Sequence, residues 1–271
     1  MVRLTALVCA QNQEAQLSRC LRRLSFCDEI VVVADRCTDG SQEIARRQGA
    51  ILVDGIFPLQ NQRKAAGLAA CTGDWILELE ADEEVDPALA WEIRAVLKRP
   101  TGAAYVIPIH NYVGDAPVRG GWTGDLSSDR AVRLYRRGLK AWRPRRLDEG
   151  AAAPGAEVGA LTGALRRHLG DDLGGLLERL RRISGMAAED LADGGQPPRA
   201  GAGAAAAGFL RSYLLRGGWR EGRLGLVVAA LTSLYPILAS LRARELIAAR
   251  EAALRPAAQP AWPGKVVGLN R

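Results

Sequence analysis

Four short apolar segments, separated by stretches with helical periodicity, restrict the fold of this chain more than any other feature. The second segment is nearly all β-branched, as expected for a parallel strand that is covered on both faces. After the first segment, Leu17, Leu21 and Leu24 share one face of a predicted helix. This β-α-β-α-β-α-β alternation predicts an α/β fold with a parallel sheet, and ligands at the carboxyl ends of its strands. The four predicted strands are LTALVCA (4–10), EIVVVAD (29–35), AILVD (50–54) and DWILELE (74–80).

Carboxylates stand at the ends of two of these predicted strands. Asp35 and Asp39 follow the second strand, and Glu80 and Asp82 follow the fourth. An aspartate in the position of Asp35 can accept hydrogen bonds from a base edge or a ribose hydroxyl. Two carboxylates at positions i and i+2 across a bend can both face one hard cation, such as Mg²⁺ or Mn²⁺. Such a cation would bridge the oxygens of a diphosphate and neutralise a departing nucleotide.

Helix capping is the structural alternative for some of these acids. Asp39 is placed to cap a helix over residues 40–48, with Gln42 completing a capping box. Asp86, directly before Pro87, is placed to cap the helix of DPALAWEIRAVL. Capping leaves three carboxylates unexplained: Asp35, Glu80 and Asp82.

The first part of the chain resembles the family-2 glycosyltransferases, over roughly residues 2–190. Within that family it looks most like the bacterial branch that adds glucose or heptose to the inner core of lipopolysaccharide. The resemblance implies a GT-A fold, which is an α/β mixed sheet, here with a helical C-terminal extension. It rests on VCAQNQEAQLSRCLRRL, DEIVVVADRCTDGSQEIARRQGA, RKAAGLAACTGDWILELEADEEV and RGGWTGDLSSDRAVRLYRRG, with weaker matches in LDEG and LRRHLGDDL.

The resemblance assigns donor-side roles by position. It implies that Asp35 and Asp39 hold the uracil and ribose of a nucleotide sugar, and that Lys64 lies near the nucleotide or diphosphate. Glu80 and Asp82 stand where the family has its metal-binding Asp-x-Asp motif, so the implied cofactor is a divalent metal ion, Mg²⁺ or Mn²⁺. The first acid of that motif is glutamate here, which lengthens its reach by one methylene.

The resemblance also assigns acceptor-side roles. Asp148-Glu149 stands where family members often have His-Glu, which makes Glu149, with Asp148 beside it, the candidate general base. His168 matches a histidine that completes metal or diphosphate binding in related enzymes. Asp125 and Asp129 are rival candidates for the base.

The chain divides into four parts. The resemblance implies that residues 1–148 form the GT-A catalytic domain, with the nucleotide-sugar half at 1–100. It also implies that residues 149–193 lie on the acceptor side, as a loop and a helix, and 149–164 are rich in Ala and Gly, as expected for a loop. A flexible linker is predicted at 194–208, and a helical, membrane-associated region at 209–271.

Charge and hydropathy indicate the partners of the protein. A formal net charge of +7 favours phosphates on a ligand or a membrane surface, and 5% aromatic residues argue against nucleic-acid binding. The segment Arg130–Arg146 contains basic residues and no acidic ones, which favours contact with phosphorylated lipid. Leu224–Leu241 carries no charge, and a packed or interfacial helix pair is favoured over a membrane span. The predicted location is cytoplasmic, peripheral to the inner face of the cytoplasmic membrane.

The favoured function is transfer of a sugar, with inversion, from a UDP- or ADP-sugar to a cell-envelope glycan or a lipopolysaccharide-core acceptor. One alternative is transfer to a polyprenyl phosphate, which needs no strong base. Another is a catalytically degenerate protein that binds nucleotide sugars, motivated by Glu80, Ala65 and Asp148 at motif positions. A pyrophosphorylase-type nucleotidyltransferase is disfavoured, because CAQNQEAQ occupies the place of the glycine-rich loop that such enzymes need.

Overall fold

One mixed α/β sheet forms the body of the protein. The computed structural model describes residues 2–57, 59–118, 129–140, 156–194 and 201–254. The four predicted strands form as expected, and the strand predicted at 50–54 lies at Ile51–Gly55, where it is partly exposed at the edge of the sheet. The first half of the fold contains β1 (Leu4–Ala10), α1 (Glu14–Arg22), β2 (Glu29–Asp35), α2 (Ser41–Arg47), β3 (Ile51–Gly55), α3 (Gln60–Ala70), β4 (Trp75–Glu80), β5 (Glu83–Val85) and α4 (Pro87–Lys98).

The second half of the fold adds strands to the same sheet and then a set of helices. The added strands are β6 (Ala104–Val113), β7 (Ala116–Val118), β8 (Arg130–Arg136), β9 (Val158–Ala160) and β10 (Leu165–Gly170). The spatial strand order is β3-β2-β1-β4-β8-β6-β10-β5, and β7 and β9 both pair with β6. The helices are α5 (Leu173–Asp193), α6 (Ala202–Leu210), a π-helical turn (Arg211–Leu215), a 3₁₀ turn (Gly218–Glu221) and α7 (Gly222–Leu254).

Parallel pairing places the ends of four strands at one edge of the sheet. β1 runs parallel to β2 and β4, and β2 runs parallel to β3. β8 is antiparallel to β4, so the direction of the sheet changes there. The carboxyl ends of β1, β2, β3 and β4 therefore lie at one edge, as the sequence predicts.

A hydrophobic core covers both faces of the parallel strands. On one face Leu17 and Leu21 of α1 pack with Leu89 and Ile93 of α4, and every one of the four is buried. On the other face the core includes Val31, Ile76 and Tyr135. All five cysteines are free thiols.

Two of the predicted boundaries differ from the structure. The loop predicted at 149–164 contains β9 at Val158–Ala160, and β10 follows it, so the sheet continues to Gly170. A sheet can recruit a distant segment through backbone hydrogen bonds, which Ala/Gly composition does not exclude. The linker predicted at 194–208 is wrong for 202–208, which belong to α6 because alanine is the best helix former. The helical character of the region after 209 is confirmed as far as residue 254.

The long helix α7 packs along α5 and against the end of the sheet. Val228 and Leu231 of α7 contact Leu176 and Leu180 of α5 in a second apolar cluster. Arg242 donates a hydrogen bond from Nη1 to the carbonyl oxygen of Arg181, at 2.7 Å. The helical segment 218–253 is long and apolar enough to cross a membrane by length and composition, and a third of its most apolar window is buried against the protein.

The predicted cap of α4 is confirmed. Asp86 Oδ1 accepts a hydrogen bond from the backbone N–H of Leu89 at 2.7 Å, and Pro87 occupies the first helical position. We expect Asp86→Ala to lower the free energy of unfolding by about 1 kcal/mol, because a backbone donor of the first turn loses its partner. Urea unfolding of both proteins measures the difference, and an unchanged unfolding midpoint would contradict the cap.

Candidate active site

Asp35 ends β2 at the edge of the sheet where the parallel strands meet. Its side chain is only 5% exposed. Oδ1 accepts hydrogen bonds from the backbone N–H of Phe57 at 3.0 Å and from Arg36 Nε at 3.1 Å. Arg36 has a positive φ of 51°, which turns the chain sharply after the strand. These contacts hold the carboxylate at the carboxyl-terminal end of β2, at the edge of the sheet where the sequence places it.

Asp39 links the first turns of two helices. Its Oδ2 accepts the backbone N–H of Glu14 at the start of α1, and its Oδ1 accepts the N–H of Ser41 at the start of α2. Burial raises the pKa of Asp39, but these hydrogen bonds outweigh it and hold the pKa below the ordinary aspartate value. The predicted capping box is wrong in detail. The N-cap residue is Gly40, and Gln42 donates to Asp54 instead.

Four carboxylates, which we call the acidic corner, gather where β4 passes into β5. In β4 the alternation of the strand places Glu78 and Glu80 on the same face. In the turn and in β5, Asp82 and Glu83 are both buried. Burial of this much like charge is costly unless cations neutralise it. The acidic corner consists of Glu78, Glu80, Asp82 and Glu83.

Seven basic side chains, which we call the cationic shell, surround the acidic corner. They come from α3, β8, the segment after β8, β10 and α5, which are far apart in sequence. Each one either forms an ion pair with a corner carboxylate or has its pKa changed by one. The cationic shell consists of Arg63, Lys64, Arg133, Lys140, Arg167, Arg179 and Arg182.

Glu78 lies at the centre of this network. Its carboxylate accepts hydrogen bonds from Lys64 Nζ at 2.8 Å, Lys140 Nζ at 3.1 Å and the Tyr135 hydroxyl at 2.9 Å. Burial raises the pKa of Glu78, but Lys64, Lys140 and Arg133 outweigh it and lower the pKa far below its usual range. Glu78 is therefore a buried, ionised counter-charge that holds α3 and β8 together.

Lys64, the predicted diphosphate residue, bridges two members of the acidic corner. Besides Glu78, its Nζ lies 3.1 Å from Glu80 Oε1. Burial alone would lower the pKa of Lys64, but Glu78 and Glu80 raise it above the ordinary lysine value. Arg63 lies 3.5 Å from the other oxygen of Glu80, and the charge of Asp35 also acts on Arg63. Arg63 therefore connects the predicted nucleotide end of the site to its predicted metal end.

Two arginines neutralise Glu83, the member of the acidic corner that lies in β5. Its side chain is fully buried, and Oε1 lies 2.8 Å from Arg133 Nη2 and 2.5 Å from Arg167 Nη2. Oε2 accepts the backbone N–H of Glu80 at 3.0 Å. Glu83 therefore fixes the turn that carries Asp82.

Asp82 has one engaged and one open carboxylate oxygen. Oδ2 forms an ion pair with Arg179 of α5, whereas Oδ1 is buried and has no hydrogen-bond partner. Burial raises the pKa of Asp82, but Arg179 and Arg167 outweigh it and hold the pKa below the usual aspartate range. The carboxylate is therefore charged and has an unused lone-pair site.

His168, a predicted metal ligand, lies beside the corner but faces a different acid. Its backbone N–H donates to the carbonyl oxygen of Asp82 at 2.9 Å, whereas its Nε2 lies 2.9 Å from Glu84 Oε1. That ring nitrogen is not aligned for a hydrogen bond with any partner. Within the described ranges, no three His, Cys, Asp or Glu side chains gather as a ready metal site.

One feature of the acidic corner is compatible with a divalent ion. Asp82 Oδ1 is an orphaned, ionised oxygen, and Glu80 stands two residues before it at the open end of β4, with 27% of its side chain exposed. Oxygen ligands of this kind are those that Mg²⁺ and Mn²⁺ take. An incoming ion would compete with Arg179 and Lys64 for the two carboxylates.

Most of the predicted acceptor-side residues lie outside the described ranges, namely Asp125, Asp148 and Glu149. Asp129 is described and exposed, and its carbonyl oxygen accepts the N–H of Ile109 at 2.7 Å. Partial desolvation raises the pKa of the Asp129 carboxyl, against the effect of Arg216 and Arg130. The charge of Arg167, a member of the cationic shell, also acts on Asp129.

The sequence interpretation of Arg130–Arg146 as a lipid-binding stretch is wrong for two of its members. Arg133 and Lys140 are buried in ion pairs with Glu78 and Glu83, because the acidic corner needs counter-charges. Arg136 lies 5.4 Å from the ring centre of Trp75. Residues 141–146 lie outside the described residues.

Sequence reasoning missed several residues of the site. Glu78 interrupts an apolar strand, and a glutamate in a buried strand indicates a buried ion pair, because glutamate is rarely buried without a partner. The Arg179 and Arg182 side chains, one turn apart on α5, gave only the pattern of an amphipathic helix. The missed members are Glu78, Glu83, Arg63, Arg133, Lys140, Arg167, Arg179 and Arg182.

Sequence comparison identifies the family. Residues 5–144 match the model of glycosyl transferase family 2, which is more than half of the chain. The protein belongs to glycosyl transferase family 2, and it is a glycosyltransferase by class. This confirms the predicted family and the GT-A expectation of a mixed α/β sheet with a helical C-terminal extension.

Several relatives are similar to this chain. The lipopolysaccharide core biosynthesis glycosyltransferase LpsC of Rhizobium meliloti (strain 1021) is 26% identical over 254 residues, which cover 88% of this chain and 91% of that protein. An uncharacterized glycosyltransferase of Rickettsia typhi is 28% identical over 97 residues, which are 35% of this chain and 33% of that protein.

Two solved structures are among those similar to this chain. The structure of S. aureus TarS 1-349 in complex with UDP-GlcNAc has a TM-score of 0.49 and 14% identity, covering 93% of this chain and 92% of that one. Glucosyl-3-phosphoglycerate synthase from Mycobacterium tuberculosis, with Mn²⁺ and UDP-glucose, has a TM-score of 0.46 and 16% identity, covering 70% of this chain and 79% of that one. Because both TM-scores are below 0.5, the fold assignment rests on the strand order and the family match.

Proposed function

We propose that this glycosyltransferase transfers a sugar, with inversion, from a UDP- or ADP-sugar to a cell-envelope glycan, with a lipopolysaccharide-core glycan as the favoured acceptor. The observation that carries the donor assignment is the acidic corner at the end of β4, with its open Asp82 oxygen and its cationic shell, beside Asp35 at the end of β2. The similarity to LpsC, which extends over nine-tenths of that protein, supports the acceptor class.

The nucleotide would lie at the edge formed by β1 and β2. The Asp35 carboxylate is held at the mouth of the sheet and retains acceptor capacity for a base or ribose group. Both oxygens of Asp39 already accept backbone N–H groups, so Asp39 shapes the loops that enclose the ribose as well as being its proposed partner. Lys64 and Arg63 would face the diphosphate.

Asp82 and Glu80 would hold the divalent ion, and His168 remains a third candidate if its ring leaves Glu84. When bound, the ion would stabilise negative charge on the leaving nucleoside diphosphate. The protein itself contributes a preorganised set of positive charges, which needs no reorganisation as the leaving group departs. Lys64 and Arg63 are the members of that set nearest to Glu80.

The acceptor hydroxyl must lose a proton as it attacks the anomeric carbon from the face opposite the leaving group. Glu149, with Asp148 beside it, is the proposed general base, and Asp129 is the described alternative. An acceptor that is already ionised, such as a polyprenyl phosphate, would make this base unnecessary.

We also propose that the protein works at the cytoplasmic face of the membrane. The turns between α6 and α7 expose Leu214, Leu215 and Trp219, and Leu215 is 82% exposed. Arg216 and Arg220 lie in the same turns. Exposed Leu and Trp side chains together with arginines are typical of contact with an anionic membrane interface.

A thermal-shift panel of nucleotide sugars tests the proposed donor class. We expect UDP- or ADP-sugars to raise the melting temperature in the presence of Mn²⁺ and to have little effect without it. Binding to the folded state alone stabilises by ~2.7 kcal/mol when the ligand stands at 100 times its dissociation constant. GDP- and CMP-sugars serve as matched controls, and a panel in which no nucleotide sugar shifts the protein would refute the proposal.

A second candidate function is nucleotide-sugar binding without transfer. The ion pairs that engage Asp82 and Glu80 favour it, because a protein that had lost its metal would need internal counter-ions there. Calorimetry that shows nucleotide binding, together with no sugar transfer or donor hydrolysis over long incubation, would favour this candidate.

A further inference from the structure

One side of α7, which we call the outer stripe, is apolar and only partly covered by the rest of the protein. Its members recur every three or four positions, which places them on one face of the helix. The three leucines among them are 45–50% exposed. A helix at the surface of a soluble protein normally has polar residues on its open face. The outer stripe consists of Leu226, Ala230, Leu234, Ile237 and Leu241.

The opposite side of α7 is apolar as well, and it packs on the protein. Val228 and Leu231 are buried against Leu176 and Leu180 of α5. The helix is therefore hydrophobic on two sides, and the described residues bury only the side that faces the other helices and the sheet. An apolar surface outside the chain is needed to cover the outer stripe.

The turns that lead into α7 extend this apolar surface at its N-terminal end. Leu214, Leu215 and Trp219 are 54%, 82% and 53% exposed. Close packing fixes these turns, because a Cβ atom on Gly225, in the first turn of α7, would overlap the carbonyl oxygen of Gly218. The three exposed side chains therefore project from a closely packed part of the fold.

Arginines flank the apolar surface at both ends. Arg220 and Arg223 are exposed where the stripe begins, and Arg244 is exposed just beyond its end. A second copy of the chain would bring the same positive charges together, whereas an anionic lipid surface would neutralise them. The charge therefore favours lipid as the covering surface. Residues 209–244 contain one acidic residue, Glu221, and six arginines, which are Arg211, Arg216, Arg220, Arg223, Arg242 and Arg244.

The packing of α7 on α5 argues against a helix that crosses the membrane. The two helices contact each other from Val228 to Arg250, which pairs with Asp193 at 2.8 Å. A helical segment of that length measures ~33 Å, about the thickness of the hydrocarbon core of a bilayer. A spanning α7 would therefore carry α5 into the bilayer. That is costly, because α5 exposes charged side chains such as Glu178 and Arg181.

We propose that α7 lies in the plane of an anionic membrane surface, with the outer stripe inserted into one leaflet and the flanking arginines at the lipid phosphates. This inference rests on the proposed membrane location and deepens it, because it assigns the inserted residues, the orientation of α7 and the charge of the lipid. The donor site plays no part in it. Calorimetric titration of UDP with Mn²⁺ therefore tests the proposed transferase function separately.

Flotation of the full chain with liposomes tests the charge of the lipid. We expect binding to vesicles of phosphatidylcholine mixed with phosphatidylglycerol. Binding to phosphatidylcholine alone should be at least about tenfold weaker, because each arginine near an anionic surface adds to the attraction.

Two substitutions test the inserted residues. Leu234→Glu should weaken binding to the mixed vesicles at least about tenfold, because a charge enters the apolar contact. Leu215→Glu should have the same effect, and its position is 82% exposed, so the substitution removes little packing within the protein. Trp91→Glu is the matched control, since Trp91 is also a well exposed apolar side chain, at 75%, but lies on α4. Its binding to the vesicles should equal that of the wild type.

Protease protection tests the orientation of α7. The full chain is expressed in bacteria with an epitope tag after Arg271, and inverted vesicles of the cytoplasmic membrane expose its cytoplasmic face to protease. An α7 in the plane of the membrane leaves the tag on that face, so we expect the tag to be digested. A protected tag would show that α7 spans the membrane and would overturn the inference.

Other results would overturn the inference and leave the donor proposal intact. They are the absence of binding to both kinds of vesicle, equal binding to both, and unchanged binding of Leu234→Glu and Leu215→Glu. A dimer in analytical ultracentrifugation that Leu234→Glu converts to a monomer would assign the outer stripe to a second copy of the chain instead.

Discussion

Replacing Asp82 with asparagine should reduce sugar transfer by about a thousandfold and remove the Mn²⁺ dependence of nucleotide binding. The change preserves shape but removes the only corner carboxylate with a buried oxygen that has no partner. A bound metal ion contributes several kcal/mol of charge stabilisation to the transition state, and ~4 kcal/mol corresponds to about a thousandfold in rate. Release of UDP from a panel of donors, with and without acceptor extracts, measures transfer, and calorimetry measures UDP affinity with and without Mn²⁺.

A matched control separates this effect from the loss of an ion pair. Asp193, like Asp82, forms an ion pair with an arginine, in this case Arg250 at 2.8 Å. Asp193 is the last residue of α5, so Asp193→Asn removes an ion pair away from the acidic corner. We expect this variant to keep full activity. Full activity in Asp82→Asn would show that the acidic corner does not serve the donor.

Replacing Glu78 with glutamine should destabilise the protein by about 3–5 kcal/mol, because it leaves buried cations without their counter-charge. Lys64 and Lys140 both depend on this carboxylate, and Tyr135 donates its hydroxyl hydrogen to it. Urea unfolding at neutral pH measures the change. Glu178→Gln is the control, since Glu178 forms an exposed pair with Arg181, and we expect no measurable change in the unfolding midpoint there.

The pH dependence of the free energy of unfolding provides a second test of the buried charge on Glu78. The pKa of Glu78 is lowered in the folded state, so its contribution is fully present above the unfolded glutamate value of 4.5 and is lost as the pH falls below it. Wild type should therefore lose stability on acidification more steeply than Glu78→Gln. Parallel pH profiles for the two proteins would show that Glu78 is not a charged partner of Lys64 and Lys140.

The positions of the acids at the strand ends could be predicted from the sequence. A parallel strand that ends in a carboxylate places it at the ligand edge of the sheet, and Asp35 and Glu80 both lie there. The cap at Asp86 was equally readable, since Asp before Pro has a local hydrogen-bonding reason. These features depend on interactions between residues that are close in sequence.

The later part of the chain was predicted less well. The stretch 149–164 has the composition of a loop, yet part of it forms β9, because β6 offers backbone hydrogen bonds that composition does not reveal. The stretch 194–208 has the glycines of a linker, yet its alanines continue into α6. In both places the outcome depends on what the segment packs against.

The sequence by itself determined the order of strands and helices, the edge of the sheet at which the strand-end acids lie and the family to which the protein belongs, because hydrophobic periodicity and short motifs are local. Only the tertiary structure decided which charges meet. Asp82 and Arg179 are 97 residues apart, and nothing local to either predicts their ion pair. Buried carboxylates require counter-charges, but the fold alone selects which arginines and lysines supply them.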